Sequence, residues 1–325
     1  MSGNYSPQKF INVMKKVIIV SMGLLLSSAV MFTSCKKTSN NNNTAEIATE
    51  SQVQSDDQAS VATQTDETTT DASTVVENVI AISGRGPLNY FTPPCNAAIA
   101  YDTLNAAKTI TITYNGLNCI GTLLRTGVVT ISIPAGVEWK NAGAQLTITS
   151  TNLKITRVRD QKSITINGSE VITNVTGGLL RNLASIGTVT HTITSAGITI
   201  TFDNGTQRSW QVAKQRVFTY NNGVVITTTG THTEGTTTGI SEWGTNRFGN
   251  AFVTQITDPM VIRQDCNFRL TSGHVKHSKL LRTVDVTFGL DATGNPTSCP
   301  GTGTYYMKIV WTNAAGVSVT LILPY

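Results

Sequence analysis

The sequence predicts an all-β protein, an antiparallel hairpin meander forming one or two sandwich-like or curved sheets. Three observations carry this. Apolar and polar residues alternate with period two through most of 79–325. Threonine makes up 43 of those 247 residues. Asn-Gly pairs separate the alternating runs.

Alternation of this kind belongs to antiparallel sheets with one solvated face. "TITITY" at 109–114 puts Ile110, Ile112 and Tyr114 on one side. "TVTHTIT" at 188–194 does the same for Val189, His191 and Ile193. "ITITF" at 198–202, "TVDVTF" at 283–288 and "VSVTLIL" at 317–323 follow suit. Threonine is β-branched, suits a pleated surface and can face water. "FDNGT" at 202–206 and "YNNGVV" at 220–225 supply the positive φ that tight hairpin turns need. The stretch "GLLRNLASIG" at 178–187 interrupts the pattern, as either a subdivision of the body or a long connection.

The chain opens differently. From Met14, the better initiator, Lys15 and Lys16 precede an apolar run from Val17 to Phe32. That run is too short and too broken by serines for a membrane span, and it has the layout of a secretory signal. Its end, Phe32-Thr33-Ser34-Cys35, resembles a bacterial lipobox of the permissive Bacteroidota type. Phe32 and Ser34 stand where the common pattern has Leu and Gly or Ala. The resemblance implies a signal peptide over 1–35, lipid on Cys35 and a place in the cell envelope, at the outer membrane, on its surface or periplasmic face. The rival is an uncleaved anchor helix.

Residues 36–78 contain no aromatic, proline or glycine, and carry two lysines against eight acids. Such a segment buries too little apolar surface to offset its ordering entropy, which predicts a disordered acidic tether. The body, 79–325, carries 19 Lys/Arg against 11 Asp/Glu. That sign asymmetry fits an anionic polysaccharide partner or simple solubility. The absence of a dense basic run argues against nucleic acid.

Cys95, Cys119, Cys266 and Cys299 remain. An even number in an exported chain points to disulfides, and four cysteines allow three pairings. Cys95–Cys119 and Cys266–Cys299 are favoured, since each joins cysteines from one third of the chain. Zinc sites usually show closer pairs.

"KTITITYNGLNCIGTLLRTGVVTISI", "ITITFDNGTQRSW" and "TGISEWGTNRFGNAFVTQITDPMVIRQDCNFRLTSGHVKHS", with "TFGLDATGNPTSCPG" after them, carry a resemblance. Together they are similar to a group of uncharacterised Bacteroidota-type cell-envelope lipoproteins. The group often has Asp-Phe-Gly where this chain has Thr113-Tyr114-Asn115. The resemblance implies an all-β lipoprotein with two disulfides and carries no activity.

Catalytic motifs are missing from the sequence: no nucleophile elbow, zinc-protease helix or phosphate loop. His274 and His277, three apart on a strand, face opposite ways and make a poor metal pair. His191 lies on an apolar face and reads as a core histidine. Glu234 with Glu242, and Asp258 with Asp265, form no close carboxylate pair for glycoside hydrolysis. No catalytic residue, metal or cofactor is therefore assigned. Trp243, Asn246, Arg247 and Phe248 fall in the loop-like "SEWGTNRFG", where an aromatic beside Arg and Asn suits sugar recognition. The alternative is that Trp243 and Phe248 pin that loop against the sheet. The expectation is a lipid-anchored, non-catalytic protein, structural or adhesive, or binding polysaccharide or an envelope protein. A carrier or assembly factor holding an apolar ligand, or a hydrolase, are the alternatives.

Overall fold

A computed structural model describes residues 53, 57, 60–77, 94–102, 108–119, 121–266, 269–279, 282–297, 304–312 and 315–325. Cys35 and the predicted signal peptide lie outside these residues, as does Cys299.

One antiparallel sheet of 15 strands accounts for the fold. The strands are β1 (Ala97–Asp102), β2 (Lys108–Leu117), β3 (Leu123–Ile133), β4 (Ala144–Arg157), β5 (Ser163–Asn174), β6 (Thr188–Phe202) and β7 (Gln207–Tyr220), then β8 (Val224–Gly230), β9 (His232–Glu234), β10 (Thr237–Thr245), β11 (Ala251–Arg263), β12 (Arg269–Lys279), β13 (Arg282–Leu290), β14 (Tyr306–Thr312) and β15 (Ser318–Pro324). Neighbours in sequence are neighbours in space, except that β10 pairs directly with β7, while β8 bridges β7 to β11 and β9 hangs on β10. Alternation sets the buried side. Ile110, Ile112, Val129, Ile131, Leu146, Ile148, Ile166, Ile172, Ile198 and Ile200 form one continuous core with Trp139 and Trp210.

The stretch at 178–187 is a connection. It holds a 3-10 turn (Leu180–Asn182) and a single helical turn (Leu183–Ile186). β5 and β6 pair on either side of it, from Asn174↔His191 to Ile164↔Phe202.

Asn-Gly turns form where the pattern placed them, in a wider shape than a two-residue turn. In Phe202-Asp203-Asn204-Gly205-Thr206, Gly205 N–H bonds Phe202 O and Phe202 N–H bonds Thr206 O, with Gly205 at φ 79°. That is a three-residue loop with a left-handed glycine. Asn246–Asn250 and Asp291–Asn295 repeat it, with Gly249 at φ 78° and Gly294 at φ 86°.

The tether expectation is corrected over 60–77. These residues form helix α1, and Val53 and Asp57 are also helical. Val61, Ala72, Val75 and Val76 are fully buried in the main core. Gln64, Thr65, Thr68, Thr69 and Asp71 are buried with them. Buried positions 57, 61, 64, 68, 72 and 75 recur every three or four residues, one stripe of a helix. The segment lacks the apolar surface to fold alone; it folds because the sheet buries its few apolar side chains and supplies cations for its carboxylates, while Thr65 and Thr68 bond back to helix carbonyls.

The sheet curls around α1. Asp66 pairs with Arg216 on β7 at 2.6 Å, and its neighbour Glu67 with Arg125 on β3 at 3.2 Å. Strands four apart in a flat sheet are separated by roughly 19 Å. Adjacent side chains on one helix, about 10–12 Å in diameter, reach both only if the strands rise around it.

Candidate binding surfaces: a charged interior and an uncharged outer face

The charge asymmetry of the sequence is resolved inside the molecule. Acids on the helical segment meet bases on the sheet. At one end, Asp57 takes a two-pronged contact from Arg247, whose Nε and Nη2 lie 2.7 and 2.6 Å from its oxygens. That guanidinium also stacks 3.6 Å over the Phe202 ring. Midway, Asp66 holds Arg216, with Lys214 at 3.9 Å. Further along, Asp71 accepts from Arg125 at 3.2 Å and from the Tyr114 hydroxyl at 2.9 Å. At the far end the Glu77 carboxylate accepts the backbone N–H groups of Leu180 and Arg181.

Deeper in, Lys214 Nζ sits 2.5 Å from Glu242, whose other oxygen accepts from Trp210 Nε1 at 3.3 Å. Burial opposes charge on Asp66, yet Arg216 and Lys214 outweigh it and hold the carboxyl below its usual range. Glu170 behaves oppositely. Burial, reinforced by the Asp66 charge, pushes its carboxyl up to about 7, and the Thr69 hydroxyl bonded to it at 3.1 Å does not offset this. His191 lies between Trp139 and Phe218, with ring centroids 5.1 and 5.2 Å away. Burial, with Arg216 nearby, pushes its imidazole down to about 4, so it is a neutral core side chain at pH 7.

The opposite face of the same strands is written in another chemistry. Registered rows cross the strands there: Thr111–Thr130–Thr149–Ser169 from β2 to β5, and Thr109–Ser132–Thr147–Val171–Thr194 from β2 to β6. Asn167, Thr199, Ser209 and Thr245 continue the array from β5 to β10. The charged side chains within these strands, Lys108, Arg125, Arg157, Glu170, Arg208, Lys214, Arg216 and Glu242, fall at the inward positions, with Lys108 and Arg157 at strand ends. Lys154 is the outward exception, near the β4–β5 turn. The usual surface arrangement is inverted, because solvent-facing strands normally carry mixed charge.

Sequence-predicted ligand residues divide between these two environments. Trp243 pairs with Gln211 across β7–β10, which puts it on the outward face beside Ser209 and Thr245. It is half-buried and stacks on His232, centroids 4.0 Å apart and planes 13° from parallel. Phe248 is exposed at the tip of the β10–β11 loop. Asn246 is buried, and its side-chain oxygen accepts from the N–H groups of Phe248 and Asn250, which forms the loop. Arg247 is committed to Asp57. The four therefore do not converge on one pocket.

The remaining candidates are also placed. Cys95–Cys119 is a disulfide that staples the β1–β2 hairpin. Cys266 is disulfide-bonded as well; its expected partner, Cys299, lies outside the described residues. His277 contacts the Thr254 hydroxyl at 3.0 Å, and His274 the Thr257 hydroxyl at 2.7 Å. No three metal-ligating side chains cluster among the described residues. Sequence reasoning passed over the buried Glu170, Lys214 and Arg125. Only their position on the apolar side of alternating strands marked them, and that side would ordinarily exclude charge.

No protein family, curated protein or solved structure matches the chain.

Proposed function

We propose that the protein is a lipid-anchored, non-catalytic binding protein of the cell envelope whose outer sheet face takes an uncharged polysaccharide. The uncharged hydroxyl and amide array on the outward side of β2–β7 and β10 carries this reading. Threonine offers a donor and acceptor together with a methyl group, which suits the hydroxyl edge and the carbon face of a sugar ring. The half-buried Trp243, backed by His232, stands at the margin of the array as a stacking platform. Anionic glycans are disfavoured, because the body's inward cations are matched by α1. An apolar carrier is disfavoured too, because the curled sheet encloses α1 and its ion pairs. Lipid on Cys35 and residues 36–59 would present the body from a membrane, and two acyl chains suffice for stable anchoring.

Co-sedimentation with insoluble neutral and acidic polysaccharides tests this. Adsorption to a neutral glycan, diminished by Trp243→Ala and by Thr149→Lys at unchanged thermal stability, is expected. Adsorption to acidic glycans alone, or indifference to both substitutions, would overturn it. Membrane association that survives Cys35→Ala, with no lipid in the mature mass, would overturn the anchor.

A further inference from the structure

The interior groove has a cation for nearly every acid of α1, and this determines what can occupy it. Arg125, Arg216 and Arg247 find carboxylates on the helical segment at Asp71 and Glu67, Asp66 and Asp57. Lys214 also has a carboxylate on the sheet, Glu242. A groove with such a lining cannot simply empty, since unpaired buried cations are strongly unfavourable. It can trade one acidic helix for another.

α1 is suited to leave. None of the 15 strands depends on it for a ladder hydrogen bond. Its sequence is a weak helix former, with Thr68, Thr69 and Thr70 in succession and Thr63, Thr65 and Thr74 besides. Its hold on the sheet combines these ion pairs with four small apolar side chains, Val61, Ala72, Val75 and Val76, which a partner's groove would bury equally well. Residues 78–96 join it to β1, and 19 residues can span up to about 60 Å, enough to reach a neighbouring molecule.

We propose that the groove is a receptor for this acidic helix in trans as well as in cis, so that two copies of the chain exchange α1 and become a dimer. The second copy is the occupant because its helical segment presents carboxylates at positions 57, 66, 67 and 71, the spacing that the groove's cations match. On a membrane surface, anchored copies would be linked through their N-terminal segments. This inference does not depend on the glycan reading.

The test uses the full chain and a dye-labelled peptide of residues 53–77. Fluorescence anisotropy should show slow uptake of the peptide, reversed by excess unlabelled peptide. A peptide with Asp57, Asp66 and Asp71 replaced by lysine should show at least tenfold weaker uptake. Hydrogen exchange of the intact protein should find α1 amides exchanging faster than those of β5 and β6, and faster still in salt. Chain concentrated in high salt and returned to low salt should contain dimer by light scattering. Failure of uptake while α1 amides exchange, equal uptake of the lysine peptide, α1 amides as protected as β6, or a chain that stays monomeric would each overturn the proposal.

Discussion

Arg247 forks onto Asp57 across 190 positions of chain, closing the turn between β10 and β11 onto the N-terminal helical segment. Neither residue's local sequence points to the other. Together they fix where the segment lies.

Arg247→Ala should destabilise the protein by roughly 3 kcal/mol, because it leaves a buried carboxylate without its fork. Arg247→Lys should recover only part of this, since an ammonium cannot make the paired contact or stack as well on Phe202. Chemical denaturation measures both, and equal stability of all three proteins would show the pair to be energetically idle.

Two buried groups pull stability in opposite directions with pH. Glu170 binds its proton more tightly when folded, at about 7 against an ordinary 4.5, so its contribution falls as pH rises through that interval. His191 resists its proton when folded, at about 4 against 6.5, so its contribution is full above 6.5 and is lost as pH falls towards 4. Each is worth at most roughly 3 kcal/mol. Wild-type stability should therefore vary little from these groups between pH 4.5 and 6.5. Glu170→Gln should expose a rise with pH across that window, and His191→Phe a decline. Parallel denaturation curves for both variants would contradict the assignment.

Tyr325 is the last residue, yet its hydroxyl donates to Leu270 O at 2.6 Å and accepts from Gly289 N–H at 2.8 Å. Tyr325→Phe leaves both buried backbone groups without this partner and should cost about 1–3 kcal/mol. A melting temperature unchanged by the substitution would show that water replaces the hydroxyl.

The Cys95–Cys119 bridge joins residues 24 positions apart in the chain. Replacing both cysteines with serine should lower stability by roughly 3 kcal/mol, on the loop-closure account. Hydrogen exchange should place the loss in β1 and β2, ahead of the β5–β7 region.

Gly244 sits at φ 150°, where an added Cβ would run into the backbone carbonyl of Ser209 on β7. Gly244→Ala should open the β7–β10 junction and lower the melting temperature more than Gly205→Ala, whose Cβ meets open space in an exposed turn.

The strands were legible because one physical rule, alternation, governs them all. Thr109 through Tyr114 and Thr188 through Thr194 announce both their conformation and their buried side. The hairpin positions were legible from glycine, though Asn204-Gly205 closes a three-residue loop where a shorter turn was expected. α1 was not legible, because the usual signal for a docked helix is an apolar stripe. Here Asp57, Gln64 and Thr68 share that stripe with Val61, Ala72 and Val75; the Thr65 and Thr68 hydroxyls bond back to the helix's own carbonyls, and arginines of the sheet and its β10–β11 turn take the carboxylates. Those cations were hidden in turn, since Arg125 and Lys214 on otherwise apolar strand faces look like isolated surface charges. Trp243 was found from its rarity, whereas the role of Arg247 depended on a partner far away in the sequence.

The meander has a temporal implication. Each of its hairpins joins segments made within seconds of one another, so the sheet can grow strand by strand from β1 onward. Asp57 and residues 60–77 precede all of it, yet their clasps on β3, β7 and the β10–β11 turn arrive over a wide interval. The first piece of this region to emerge is thus among the last to be secured. A chain cut short before Arg247 would leave Asp57 without its clasp, which gives the molecule a built-in mark of incomplete synthesis.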